Sequence, residues 1–275
     1  RSQSVRGRLM TGSVGRLPAV APPIVLHRGD TLLLTRSAEP GCDAMRSAGG
    51  KIEVPARIHC TLDAAFLQAR PGEPVWFDDG RIGGVVEAND HELITVRITH
   101  AGAEGSRLRA EKGINFPETQ FALSALTDKD IADLEAVVGF ADIVALSFVR
   151  SAADVTCLED HLHRLGAGQL GIVLKIENRQ AFENLPAVLL RSLRSPPVGV
   201  MVARGDLAVE MGFERLSEVQ EEILWLCEAA HVPVIWATQM LEGLARKGVP
   251  SRAEVTDAAA SARAECAMLN KGPYI

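Results

Sequence analysis

Ile172-Val173-Leu174-Lys175-Ile176-Glu177-Asn178 is an apolar run of strand length that gives way to alternating lysine and glutamate. The same change recurs at Val200-Met201-Val202-Ala203-Arg204-Gly205-Asp206 and at Val234-Ile235-Trp236-Ala237-Thr238-Gln239-Met240. Continuous apolar runs of this length suit strands buried on both faces of a parallel sheet. Working outward, strand centres fall near Ala145, Val173, Met201, Ile235 and Met268, at intervals of 28, 28, 34 and 33 residues. Each interval is the size of a β/α unit. The helices between them have readable starts: Thr127 with Asp130 before Ile131, Leu134 and Val138, Ser151 before Val155, Leu158 and Leu162, and Ser251 with Glu254. No Gly-x-Gly-x-x-Gly follows any strand, so five successive units point to a (β/α) barrel rather than a nucleotide-binding doubly wound sheet.

Upstream the pattern is different. Residues 13–111 carry short β-type runs, Ile24 to Leu26, Thr31 to Thr35, Val75 to Phe77, Ile82 to Val86 and Leu93 to Ile98, and nothing that reads as a long amphipathic helix. Asp78-Asp79-Gly80 predicts a tight hairpin between Phe77 and Ile82, and Ser37 to Lys51 predicts a surface loop. A small all-β module therefore sits beside the β/α units. A closed barrel needs eight strands, and only five are counted, or six if Leu9 to Thr11 ends another. With Arg1 in place of an initiating methionine, an N-terminally incomplete chain is expected.

The 275 residues, 47% of them hydrophobic, suffice for two domains. Lys plus Arg number 29 against 35 Asp plus Glu, and the net charge of −6 argues against a nucleic-acid surface. Five scattered cysteines without a CxxC pair predict reduced thiols and a cytoplasmic setting. No apolar run approaches the roughly 20 residues of a membrane span.

Reactive groups of such barrels sit at the C-terminal ends of the strands. Lys175 and Glu177, two apart on one strand, share a face and point to the barrel mouth, with a structural ion pair as the simpler alternative. Asp206 follows a glycine at the next strand end. Together Glu177 and Asp206 make an all-oxygen pair of the kind that Mg²⁺ or Mn²⁺ accepts while keeping positions open for substrate. Thr238 and Gln239 bring a hydroxyl and an amide, although a strand-end threonine is more often a cap. Met240 and Leu241 read as core, and Trp225 reads as packing on the helix that carries Leu216, Val219, Ile223 and Leu226. His161 and His163 fall on different helix faces and make no metal pair.

Lys175-Ile176-Glu177-Asn178, Met201-Val202-Ala203-Arg204-Gly205-Asp206-Leu207, Ala237-Thr238-Gln239-Met240-Leu241-Glu242 and Arg252-Ala253-Glu254-Val255 with Asp257 stand in this order and at these spacings in pyruvate kinases, and the chain resembles that family. The likeness extends to Asp78-Asp79-Gly80, Lys112-Gly113-Ile114-Asn115-Phe116-Pro117, Leu126-Thr127-Asp128-Lys129-Asp130 and Ser147-Phe148-Val149-Arg150. It covers most of residues 75 to 270.

The resemblance implies an α/β fold, a (β/α)8 TIM barrel interrupted after its third strand by a small all-β barrel, the B domain. On that plan residues 1–12 end a barrel strand, 13–111 form the inserted lid, and 112–275 supply units 4 to 8 of an incomplete barrel. The activity implied is phosphoryl transfer from phosphoenolpyruvate to ADP, giving pyruvate and ATP, in a full-length protein that is a homo-oligomer. Glu177 and Asp206 resemble the ligands of Mg²⁺ or Mn²⁺, and Lys175 the cation that stabilises the phosphoryl group in flight. The Ala203-Arg204-Gly205-Asp206 turn, through the Gly205 and Asp206 amides, resembles the seat of the substrate carboxylate. Thr238 corresponds to the hydroxyl near the enolate carbon, and Asp79 and Lys112 belong to the lid.

There are departures. Met10 stands where an arginine is usual, and Asn270-Lys271-Gly272-Pro273 stands where Ser-Gly-Glu-Thr is common. The arginine that grips the phosphoryl group and the ligands of K⁺ belong to strands expected before Arg1. Two other readings share parts of this chemistry: a degenerate paralogue kept for binding, and a metal-dependent aldolase or lyase that works through a pyruvate enolate.

Overall fold

The computed structural model describes residues 22–124, 126–194, 197–269 and 272–274. The strand end expected at Leu9 to Thr11 and the Met10, Asn270 and Lys271 departures lie outside them. The first half holds β1 (Ile24–Leu26), β2 (Thr31–Thr35), β3 (Met45–Arg46), β4 (Ile52–Val54), β5 (Ala56–His59), α1 (Asp63–Gln68), β6 (Pro74–Phe77), β7 (Ile82–Asn89), β8 (Leu93–His100), β9 (Ser106–Leu108) and β10 (Ile114–Asn115). The second half holds α2 (Asp128–Val137), β11 (Ile143–Leu146), α3 (Ala152–Arg164), β12 (Gly171–Ile176), α4 (Arg179–Glu183), α5 (Leu185–Ser192), β13 (Val198–Ala203), α6 (Arg204–Met211) and α7 (Leu216–Ala229). It closes with β14 (Val234–Ala237), α8 (Glu242–Lys247), α9 (Arg252–Ser261) and β15 (Cys266–Ala267).

The β/α units form as the sequence predicts. Strands β11 to β15 pair in sequential order, all parallel, with Ala145 opposite Val173, Lys175 opposite Met201, and Met201 opposite Ile235. A doubly wound sheet reverses its strand order at a switch point, and this order runs without reversal. Alternation on β11 is marked: Val144 and Leu146 are buried, while Ile143 on the other face is 60% exposed. Only β15 departs from its expected centre, since Met268 lies one residue beyond it.

The helix starts hold their predicted caps. Thr127 accepts from the Asp130 amide and Ser251 from the Glu254 amide, each with the reciprocal carboxylate bond to the cap's own N–H. The Ser251 box sets the start of α9, whose Asp257 reaches the candidate site described below. Ser251→Ala lowers the unfolding free energy by about 1 kcal/mol, the usual worth of such a cap. A denaturant midpoint indistinguishable from that of the parent protein would show that tertiary contacts alone set this start.

The first half is a six-stranded sheet in the order β10-β6-β7-β8-β2-β5, antiparallel except for the β2–β5 pair, with β1–β9 and β3–β4 as separate ribbons. Its hydrophobic core, from Ile24 to Phe116, shares no residue with the core of the second half. Asp78-Asp79-Gly80 turns the β6–β7 hairpin with φ of 52°, 56° and 80°, as the Asp and Gly residues predict. Gly83 and Gly84 follow because a Cβ there would lie 2.4 Å from the Trp76 ring and 2.4 Å from Val96.

Two expectations change. The module is not all-β, since α1 buries Ala64, Ala65 and Phe66 against its core. Six residues are too few to show a helical repeat in sequence, and such a short helix is held by burial rather than by propensity. Within Ser37 to Lys51, Met45–Arg46 pairs with Ile52–Val54 as a small ribbon. Among the described residues no helix is long and apolar enough to cross a membrane.

Candidate active site

Lys175, Glu177, Asp206 and Thr238 come together at the C-terminal ends of β12, β13 and β14. The ends are level because the strands pair in step, Ile176 with Val202 and Ala203 with Ala237. Lys175 Nζ lies 2.7 Å from Glu177 Oε1 and 2.9 Å from Ser147 Oγ at the end of β11. Glu177 is 3% exposed, and its second oxygen accepts the Phe148 N–H at 2.6 Å. Phe148 holds a φ of 51°, a left-handed conformation rare for a bulky residue, which aims that amide at the carboxylate. A buried carboxylate is thus held by an ammonium and an amide from two neighbouring strand ends.

Asp206 opens α6. Burial pushes its carboxyl above the usual range, the Glu177 carboxylate pushes the same way, and a hydrogen bond from the Asn115 side chain opposes both. Two carboxylates that repel each other across a partly buried space, with only oxygen donors, fit a hard divalent ion. Among the described residues no cluster of three or more His, Cys, Asp or Glu side chains could hold one, so water and substrate oxygens would complete its shell.

Thr238 is strained. Thr238, Gln239 and Leu241 have φ of 65°, 53° and 47°, a run of left-handed residues immediately after β14. Such conformations in a β-branched residue persist only where the surroundings enforce them. Arg204 enforces this one. Its Nε donates to the Ala237 carbonyl at 2.9 Å, its Nη2 to the Thr238 carbonyl at 2.6 Å, and its Nη1 to Asp257, while the guanidinium carbon stacks 4.8 Å from the Trp236 ring centre. Thr238 Oγ1 in turn accepts the Gly205 N–H at 2.9 Å. Arg204, expected among the substrate contacts, spends its fork on the protein, and the Gly205 amide expected to meet a carboxylate is satisfied by Thr238.

The hairpin of the first half reaches the same place. Gly80 lies so close to α6 that a Cβ on it would stand 3.2 Å from Val209, and Asp79 adds to the negative field at Asp206. Lys112 pairs at 2.7 Å with Asp78 rather than Asp79. Asn115 on β10 donates to Glu210 at 3.2 Å. Trp225, read as packing, is 60% exposed, because α7 turns Leu224 and Cys227 inward instead.

Ser147, Asn115, Glu210 and Asp257 join the site through contacts made in the fold. Ser147 was within reach of the strand-end rule, whereas Glu210 carries no local signal. A cavity of about 450 Å³ lined by Cys227, His231, Val234 and Glu265 opens at the opposite, N-terminal end of β14. Burial pushes the Cys227 thiol there up to about 12, so it is no nucleophile.

Residues 44–272 match the family profile "Pyruvate kinase, barrel domain". The chain belongs to the pyruvate kinase family. It is 38% identical over 213 residues to a pyruvate kinase of Hypocrea jecorina and 36% identical over 197 residues to one of Clostridium acetobutylicum, matches that cover 74% and 70% of this chain. A pyruvate kinase of Rattus norvegicus is 37% identical over 202 residues, 72% of this chain. The chain spans 38%, 39% and 33% of the length of these three pyruvate kinases.

Proposed function

We propose that this chain carries the phosphoenolpyruvate and divalent-metal half of a pyruvate kinase active site, with residues 13–111 as the lid and 112–275 as units 4 to 8 of the barrel. The observation that carries the reading is the convergence of Lys175, Glu177 and Asp206 at adjacent parallel strand ends, beneath a hairpin seated on α6. Glu177 and Asp206 would hold Mg²⁺ or Mn²⁺, which supplies positive charge to the oxygens of the substrate. Lys175, fixed by Glu177 and Ser147, offers an ammonium to the charge that spreads over the moving phosphoryl group. Little covalent work falls to the protein in such a transfer, so positioned charge supplies most of the barrier lowering. The phosphoryl group passes from the enol oxygen of phosphoenolpyruvate to the terminal phosphate of ADP, and the enolate left behind takes a proton at carbon to become pyruvate. Thr238, clamped through its carbonyl by Arg204, would organise delivery of that proton. The seated first half would keep water from the phosphoryl group.

Mn²⁺ titration tests the reading. Glu177→Gln and Asp206→Asn each weaken Mn²⁺ binding at least about tenfold, because either leaves one carboxylate and unfilled coordination positions. Parent-like affinity in both variants would sink the assignment.

A further inference from the structure

Successive carbonyls of an extended strand point to opposite sides, yet those of Ala237 and Thr238 meet one edge of a single guanidinium. The φ of 65° at Thr238 turns the second carbonyl round to join the first. A planar fork with fixed spacing suits only that pair of directions. The orientation of Arg204 and the left-handed conformation of Thr238 therefore specify each other. The side chain follows: Thr238 Oγ1 accepts the Gly205 N–H at 2.9 Å, which uses one lone pair and leaves the hydroxyl proton to donate.

The orientation of Arg204 is set in turn from outside the β13–β14 pair. Its far nitrogen, Nη1, meets Asp257 Oδ1, and the same oxygen accepts the Trp236 Nε1–H at 3.3 Å. Trp236 is 2% exposed, and its ring is the one on which the guanidinium stacks. One carboxylate oxygen thus holds both the cation and the ring. Asp257 stands on α9, and three residues earlier on the same helix Glu254 takes the other end of the loop. Besides the Ser251 amide, the Glu254 carboxylate accepts the Gly243 N–H at the start of α8. The segment from Thr238 to Gly243 is therefore held at its start by Asp257, through Arg204, and at its end by Glu254.

We propose that Asp257 is a positioning residue for Thr238: through the guanidinium of Arg204 and the indole of Trp236 it fixes where the Thr238 hydroxyl stands, and so governs protonation of the enolate. This rests on the reading of Thr238 as the group that organises delivery of that proton. A reacting group displaced by about 1 Å can cost about a hundredfold in rate. Phosphoryl transfer, served by Lys175, does not draw on that hydroxyl, so the two steps respond differently.

The test uses a full-length pyruvate kinase that carries this chain. ATP formed in a single turnover reads phosphoryl transfer, and loss of enolpyruvate absorbance reads ketonisation. Asp257→Ala slows ketonisation about tenfold and leaves single-turnover ATP formation within about threefold of the parent. Asp257→Asn, which keeps an acceptor oxygen for both partners, recovers most of the loss. Trp236→Phe keeps an aromatic ring, removes one N–H and slows ketonisation about threefold. It reads the same network if Asp257→Ala does not fold. Thr238→Ala by itself slows ketonisation about a hundredfold, and adding Asp257→Ala to it brings no further loss, because no hydroxyl is left to place. Parent-like ketonisation in Asp257→Ala and Trp236→Phe, equal losses in both steps, or a further loss on top of Thr238→Ala overturns the inference and leaves the role of Thr238 standing. Parent-like ketonisation by Thr238→Ala overturns both.

Discussion

Under the proposed function, Lys175→Met in a full-length pyruvate kinase that carries this chain lowers phosphoryl transfer from phosphoenolpyruvate to ADP by about a thousandfold or more and leaves ketonisation of enolpyruvate within about tenfold of the parent rate. The asymmetry follows from where the ammonium does its work. Nζ is held at 2.7 Å by Glu177 and 2.9 Å by Ser147, so its charge is in place before any substrate arrives and no reorganisation accompanies the reaction. Charge spreads over the phosphoryl oxygens only during transfer, and a thousandfold corresponds to about 4 kcal/mol of transition-state stabilisation. Ketonisation involves no phosphoryl group and gains nothing from that charge. Lactate formation in a coupled assay reads the first step, and the loss of enolpyruvate absorbance reads the second. Equal losses in both would show that Lys175 serves to neutralise the buried Glu177 and nothing more. Circular dichroism of the variant separates a lost function from a lost fold.

Arg204→Ala destabilises the second half by about 3–5 kcal/mol, the usual cost of breaking a largely buried ion pair by removing one partner. The side chain closes three gaps at once. Without it the Ala237 and Thr238 carbonyls lose their donors, Asp257 loses its cation, and the Trp236 ring loses the guanidinium stacked on it. The left-handed run at Thr238, Gln239 and Leu241 then loses the clamp on its carbonyls and keeps the Gly205 N–H on Thr238 Oγ1. Arg204→Lys keeps a charge but not the planar fork, so it recovers only part of the loss. Denaturant unfolding followed by far-ultraviolet circular dichroism measures both variants. A loss below about 1 kcal/mol for the alanine variant would mean that the pair behaves like an exposed one.

The two predictions mark different depths of legibility. Lys175 and Glu177 could be placed from the sequence because residues two apart on a strand share a face, and an apolar run that ends in charge marks which end they occupy. Arg204 could not. Its neighbours in sequence put it at a strand end among substrate contacts, but its partners are Ala237, Thr238 and Asp257, 33, 34 and 53 residues away, brought there by the β13–β14 pairing and the start of α9. Likewise Trp225 sits one position off the buried stripe of α7, a rotation that a repeat of 3.6 leaves open when Leu224 and Leu226 flank it.

By itself the sequence determined whatever depends on a local period or a local bond: five β/α units, the capping boxes at Thr127 and Ser251, the Asp78-Asp79-Gly80 turn, and the strand ends that carry lysine and carboxylates. Tertiary structure alone decided the rest. Helix α1 exists because Phe66 has a core to enter, β5 pairs parallel with β2 after the excursion that holds the β3–β4 ribbon, and Asn115 meets Glu210 across 95 residues. Contacts of that span leave no mark on hydrophobic periodicity, since their free energy comes from surfaces that exist only after both sheets have formed.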